Sequence, residues 1–273
     1  MLLNIFTRAI KTLITIVVVL IFIGALVSKF ERLQCKKMLE TIENDDIKQL
    51  EFILKFANPN SRTLAPGWEI IFDGSYEKTP LQAACHKGNL EMVKLLVENG
   101  ADVNYTTGST RISALMWAVQ SESSDNLKIV KYLIKNGADV EYSCTGKDAV
   151  YCLLYDFTLP PNGMEILKEL VAAGTQMEEI HLQKACYWKH EEAIRYLIEE
   201  CGFDASDEYY LHAYCYGVNE YSRETFEYFL QRGADPYAKN EDGKWAIYYL
   251  EKEDVPEWAE ILTELAAEYG YTE

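Results

Sequence analysis

Four histidines, seven cysteines and 43 Asp and Glu residues are the groups in this chain that could carry chemistry. His86, His181, His190 and His212 are too scattered for a helical zinc pair, whose two ring nitrogens sit four residues apart on one face. No C-x-x-C occurs, so neither a zinc knuckle nor a dithiol redox centre is encoded. Gly146-Lys147-Asp148 lacks the Ser/Thr and upstream Gly that a phosphate loop needs, and no G-x-G-x-x-G or G-x-S-x-G is present. Among 43 carboxylates, close acidic pairs arise by chance, so no acid–base dyad stands out. Asn104-Tyr105-Thr106 matches a glycosylation acceptor but falls where a recurring structural Asn is also expected. These residues lead to an expectation of no catalytic residue, no metal and no cofactor.

The elements that must position them are repeated. Residues 79–104 read TPLQAACHKGNLEMVKLLVENGADVN, and the ending recurs as VKYLIKNGADVE at 130–141, FEYFLQRGADPY at 226–237 and, worn, ILKFANPN at 53–60. Leu90, Met92, Val93, Leu95 and Leu96 follow the spacing of a helix with one buried face. Gly100 then ends it, because Gly enters the left-handed region cheaply, and Gly137, Gly174, Gly202 and Gly233 recur in the same place. The segments resemble ankyrin repeats, whose T-P-L-H-x-A opening and period of about 33 residues are distinctive. His212 alone keeps the histidine of that opening. Cys85, Cys186 and Cys215 share one position, in LQAAC, LQKAC and LHAYC, and Cys152 lies in the equivalent helix of its own copy. Buried small hydrophobes suit that position. Stacked helices about 10 Å apart exceed the Cα separation of a disulfide, so no disulfide framework is expected.

Residues 1–37 carry six Lys and Arg against Glu31 alone, whereas the whole chain carries a net charge of −17. Between Lys11 and Lys29 runs the uncharged stretch TLITIVVVLIFIGALVS, near the roughly 17–25 residues of a membrane-spanning helix. A retained anchor is the preferred reading; a cleaved signal and a buried core helix are the alternatives, and no A-x-A cleavage site follows. Arg8 and Lys11 favour a cytoplasmic N-terminus and export of the body, which would be periplasmic in a bacterium. Lys29, Arg32, Lys36 and Lys37 pull the other way, and a chain of free thiols suits a cytoplasm.

The expected architecture is all-α: a basic region at 1–34 with one transmembrane helix at about 12–28, then an ankyrin-repeat solenoid at 35–273. Its seven helix-pair repeats are expected at about 35–60, 79–104, 112–141, 148–178, 180–206, 209–237 and 244–270. Insertions fall at 61–78, where alternating Trp68, Ile70 and Phe72 suggest a finger, and at 120–126, 155–163 and 216–224. Residues 175–179 instead leave almost no room for the usual hairpin.

The resemblance implies a concave recognition surface formed by the residues after the small pair of each first helix. Here these include His86 and Lys87, Tyr155, Tyr187 and Trp188, and Tyr216. Together with Trp68 they are the expected partner-binding residues, since Tyr and Trp bury much area at little entropic loss. The rings could instead cover core left open by the missing hairpin. The expected function is protein recognition by a membrane-tethered, non-enzymatic monomer, with inhibition of a toxic enzyme or a scaffold role as alternatives. A carboxylate hydrolase finds no nucleophile pattern. The net charge excludes a nucleic-acid partner and points to a basic protein met by an acidic, aromatic-lined groove.

Overall fold

The structure, a computed structural model, describes residues 2–61, 78–106, 111–217 and 220–272. Among them all regular structure is helical, with one isolated bridge between Cys144 and Lys147. The expected finger at 61–78, with Trp68, lies outside the described residues apart from its ends. Two compact units divide the chain, Met1–Trp117 and Ala118–Glu273.

The first unit contains α1 (Leu2–Glu43), α2 (Ile47–Leu54), α3 (Pro80–Lys87) and α4 (Leu90–Glu98), and ends within α5 (Ala114–Val119). α1 is one unbroken helix of 42 residues. Its stretch Leu13–Glu43 reaches a mean hydropathy of 2.7 in a window of which nothing is buried, so it is a candidate membrane span or signal sequence. The last turns of the same helix bury Cys35, Met38 and Ile42 completely, against α2 and α3. The apolar leader and the first core helix are therefore one element without a linker.

Local chemistry explains the next pair. Thr79 accepts a hydrogen bond from the Gln82 N–H at 3.1 Å, and Gln82 Oε1 accepts one from the Thr79 N–H at 2.8 Å, closing a capping box around Pro80. The Gln82 amide also donates to the carbonyls of Tyr105 and Ile112, tying α3 to the following loop. Gly100, with φ +89°, makes the left-handed step after α4, as expected.

The second unit continues through α6 (Asn126–Lys135), α7 (Ala149–Leu153), α8 (Gly163–Ala172), α9 (Glu179–Tyr187) and α10 (Glu191–Cys201). It ends with α11 (Glu208–Tyr216), α12 (Arg223–Gln231), α13 (Ala246–Lys252) and α14 (Pro256–Glu268). The first helices of successive pairs, α7, α9, α11 and α13, stack in order, and α6 and α10 each pack against α8. Leu182, Ala185, Cys186, Leu211, Tyr214, Cys215 and Leu250 fill the space between. Cys85, Cys186 and Cys215 are buried thiols. The insertions at 120–126 and 155–163 lock onto each other: fully buried Asn126 donates to the Pro161 carbonyl, and Asn162 donates to Asn126 Oδ1 at 2.9 Å.

Candidate functional site

In the second unit the stacked first helices bring their ends together, and with them a row of aromatic rings. Tyr151 on α7 stacks on Tyr155 at 5.4 Å, and Tyr155 meets Trp188 edge-on at 6.0 Å. Trp188, the C-cap of α9, contacts Tyr187 at 5.1 Å. Tyr187 then reaches Tyr216 of α11 at 6.1 Å, and Tyr216 reaches Tyr249 of α13 at 5.4 Å. Tyr155 and Tyr216 are 46% and 50% exposed, while Tyr187 and Trp188 are half-buried. Four of the expected residues, Tyr155, Tyr187, Trp188 and Tyr216, thus form one surface. Sequence reasoning missed Tyr151 and Tyr249. Tyr151 precedes Tyr155 by four residues, a helical neighbour spacing, and that signal could have found it.

Two lysines stand close to the rings. Lys147 Nζ lies 5.5 Å from both the Tyr151 and Tyr155 ring centres. Lys184 Nζ lies 5.4 Å from Tyr151, 5.7 Å from Tyr155 and 5.8 Å from Tyr187. Burial, and then the charge of Lys147, hold the Lys184 amine below the ordinary lysine range. Beside them a cleft of about 510 Å³ opens between α9, α11 and α13, lined among others by Lys184, Tyr187, Tyr216, Tyr249, Asp242 and Lys252.

Polar contacts inside the unit hold these helices in place. His181 donates from Nε2 to Asp148 at 3.0 Å and accepts the Glu178 N–H at Nδ1, joining the start of α7 to that of α9. His212 Nε2 lies 3.1 Å from the Lys244 carbonyl, the same bridging use that Gln82 makes of its amide in the first unit. Below the row, Lys189 occupies the left-handed region at φ +60° and is buried. Its ammonium donates to the Tyr214 carbonyl and lies 4.4 and 4.6 Å from the Tyr214 and Tyr221 ring centres. Burial lowers its pKa to about 8. Tyr221, from the insertion at 216–224, closes this cage and donates its hydroxyl to the Cys215 carbonyl. Gly217 is needed beside it, since an added Cβ would lie 2.0 Å from the Tyr187 carbonyl oxygen.

His86 and Lys87 belong to the first unit. His86 meets Trp117 edge-on at 4.7 Å, and Lys78 Nζ lies 3.9 Å over the same indole. Burial, and then Lys78, lower the His86 pKa. Lys87 is engaged within the fold, donating to the Glu43 carbonyl and pairing with Asp45 at 3.0 Å. Among the described residues no group of three or more His, Cys, Asp or Glu side chains could hold a metal ion.

Residues 39–144 match the family model for ankyrin repeats, in three copies. No curated protein matches the sequence. The ankyrin repeat domain of human ASB11 superposes with a TM-score of 0.64 at 20% identity, over 84% of this chain and 96% of that one. A chain from the Bdellovibrio bacteriovorus predatory endopeptidase Bd0816 in complex with immunity protein Bd3460 superposes with a TM-score of 0.55 at 21% identity, over 67% of this chain and 96% of that one. Both likenesses are of fold. Residues 39–144 therefore carry ankyrin repeats, and the likeness to solved structures extends the ankyrin-repeat fold over most of the chain.

Proposed function

We propose that the chain is a membrane-tethered, non-enzymatic recognition module that binds a partner protein through the aromatic row of its second unit. The observation that carries this reading is the continuity of the row, six rings from Tyr151 to Tyr249 with Tyr155 and Tyr216 about half exposed. Water solvates such a row poorly, and a partner that buried it would gain apolar area with few rotamers frozen. The rings with most exposure contribute least to the core, so recognition rather than core cover accounts for them. The uncovered apolar length of α1 supports the tether, because a helix apolar on all sides finds its solvent in lipid.

Likeness in fold to a chain from an endopeptidase–immunity complex favours one version of this function. In it the module neutralises a toxic enzyme on the far side of the membrane, with the row covering the enzyme's own surface.

The test uses the full chain in nanodiscs as bait in an envelope extract, beside a Tyr155→Ala/Tyr216→Ala variant. Hot-spot aromatics are worth about 2 kcal/mol each, so the variant should lose capture almost completely while its melting temperature stays unchanged. Equal capture by both proteins overturns the proposal, and a lowered melting temperature assigns the rings to the core.

A further inference from the structure

Lys147 and Lys184 stand over the same two rings, those of Tyr151 and Tyr155, each within 5.7 Å of both centres. Neither makes an ion pair among the described residues, although the chain carries 43 carboxylates and most of the surface ion pairs draw on them. The two ammonium groups repel one another, and the partly buried amine of Lys184 responds to that charge. Like charges held together on a half-buried apolar surface are a cost that a bound anion would relieve. The adjoining cleft adds Lys252 together with Asp242 to its lining.

We infer that the row takes an acidic segment of its partner, with a carboxylate seated between Lys147 and Lys184 and a neighbouring apolar side chain laid against Tyr155 and Tyr187. The inference rests on the reading of the row as a recognition surface and names the chemistry of what it recognises. It reverses the expectation of a basic partner. The carboxylate converts the repulsion into two attractions in a setting of reduced dielectric, and the rings supply apolar contact beside it. The whole-chain charge of −17 then sharpens the choice of partner, because it repels acidic proteins that cannot reach the lysine pair.

The probe is a random dodecapeptide display library selected on the full chain in nanodiscs, with the same selection on Lys147→Glu/Lys184→Glu and on Tyr155→Ala/Tyr216→Ala variants. Binders to the wild type should be enriched in Asp or Glu beside Trp, Phe or Leu. A synthetic copy of the best binder should lose about tenfold in affinity for each reversed lysine. The charge-reversed variant should select Lys or Arg in place of Asp or Glu. Basic or uncharged binders, acidic binders indifferent to the lysine reversal, or no enrichment would each overturn the inference. If basic binders appear and vanish on the tyrosine variant, the recognition surface stands while its acidic ligand falls. If binders of any charge persist on the tyrosine variant, the recognition reading falls as well.

Discussion

Replacing Lys189 with Met should make the protein more stable at neutral pH, and the gain should fade as pH rises. The ammonium is buried at 9% exposure and is held by one carbonyl and two ring faces rather than by a carboxylate. Burial brings its pKa from 10.5 to about 8. The folded value lies below the unfolded one, so the charge destabilises the fold fully below pH 8, and the penalty lifts as pH climbs toward 10.5. Each tenfold change in proton affinity is worth about 1.4 kcal/mol, which makes the penalty about 3 kcal/mol at pH 7 and about 2 kcal/mol at pH 9. Met keeps an aliphatic stem and the same backbone strain but forfeits the two cation–π contacts, worth about 0.5–2 kcal/mol each. The expected net gain at pH 7 is therefore about 1 kcal/mol, shrinking by a similar amount by pH 9. Urea unfolding followed by tryptophan fluorescence, at half-unit steps from pH 6 to 9, reads the difference between the two proteins. Burial holds the thiols of Cys186 and Cys215 protonated beyond their ordinary range, and the Lys189 charge acts on both, so above pH 9 their titration would enter the difference and the series stops there. A variant less stable than wild type by an amount independent of pH would refute this account of the buried charge, since the lysine would then be a net stabiliser whose proton affinity does not change on folding.

Gln82→Leu should cost about 3 kcal/mol, because it strands the Thr79 N–H and the carbonyls of Tyr105 and Ile112 at a nearly fully buried site, whereas Gln82→His should restore most of the loss by the bridge His212 makes in α11. Equal urea midpoints for the Leu and His variants would show that the bridging bonds contribute nothing. Two charges at the middle of the apolar stretch, Val19→Arg with Ile23→Arg, should cost about 2.5–3.5 kcal/mol each in a bilayer, so alkaline extraction should leave wild type in the membrane pellet and release the variant. Wild type found in the supernatant rejects the tether, and an intact mass that begins downstream of α1's apolar stretch identifies a cleaved signal instead.

Much of the fold was legible because each repeat states its own boundaries locally. Pro80 after Thr79 opens a helix and Gly100 closes one, and these signals act within a turn or two of the chain, where sequence spacing and spatial proximity agree. The site was legible only where the repeat register carried it. Tyr155, Tyr187, Trp188 and Tyr216 occupy equivalent positions, and equivalence alone places them on one surface. Tyr249 escapes that logic, because the register in the last helix pair points to Lys252 and Glu253, and only the packing of α13 on α11 turns a tyrosine three residues earlier toward Tyr216.

The buried lysine was hidden for a related reason. Lys189 stands where the second repeat has Gly88, and a lysine at a glycine position reads from sequence as an exposed loop residue. Its left-handed backbone instead lets the side chain run back between Tyr214 and Tyr221, contacts between distant parts of the chain that no local spacing encodes. Net charge is equally blind to such local detail. It sums the whole chain, whereas a partner would meet only the few groups around Tyr155 and Tyr187, where two lysines stand over the rings and neither forms an ion pair among the described residues. An acidic chain with a basic spot on its aromatic row repels most acidic proteins at long range and attracts, at contact distance, those whose carboxylate reaches that spot. Screening confines the long-range part to about 10 Å at ordinary ionic strength. Added salt should therefore speed association by weakening the general repulsion while weakening the final complex, opposite signs that an acidic surface meeting a basic partner would not produce.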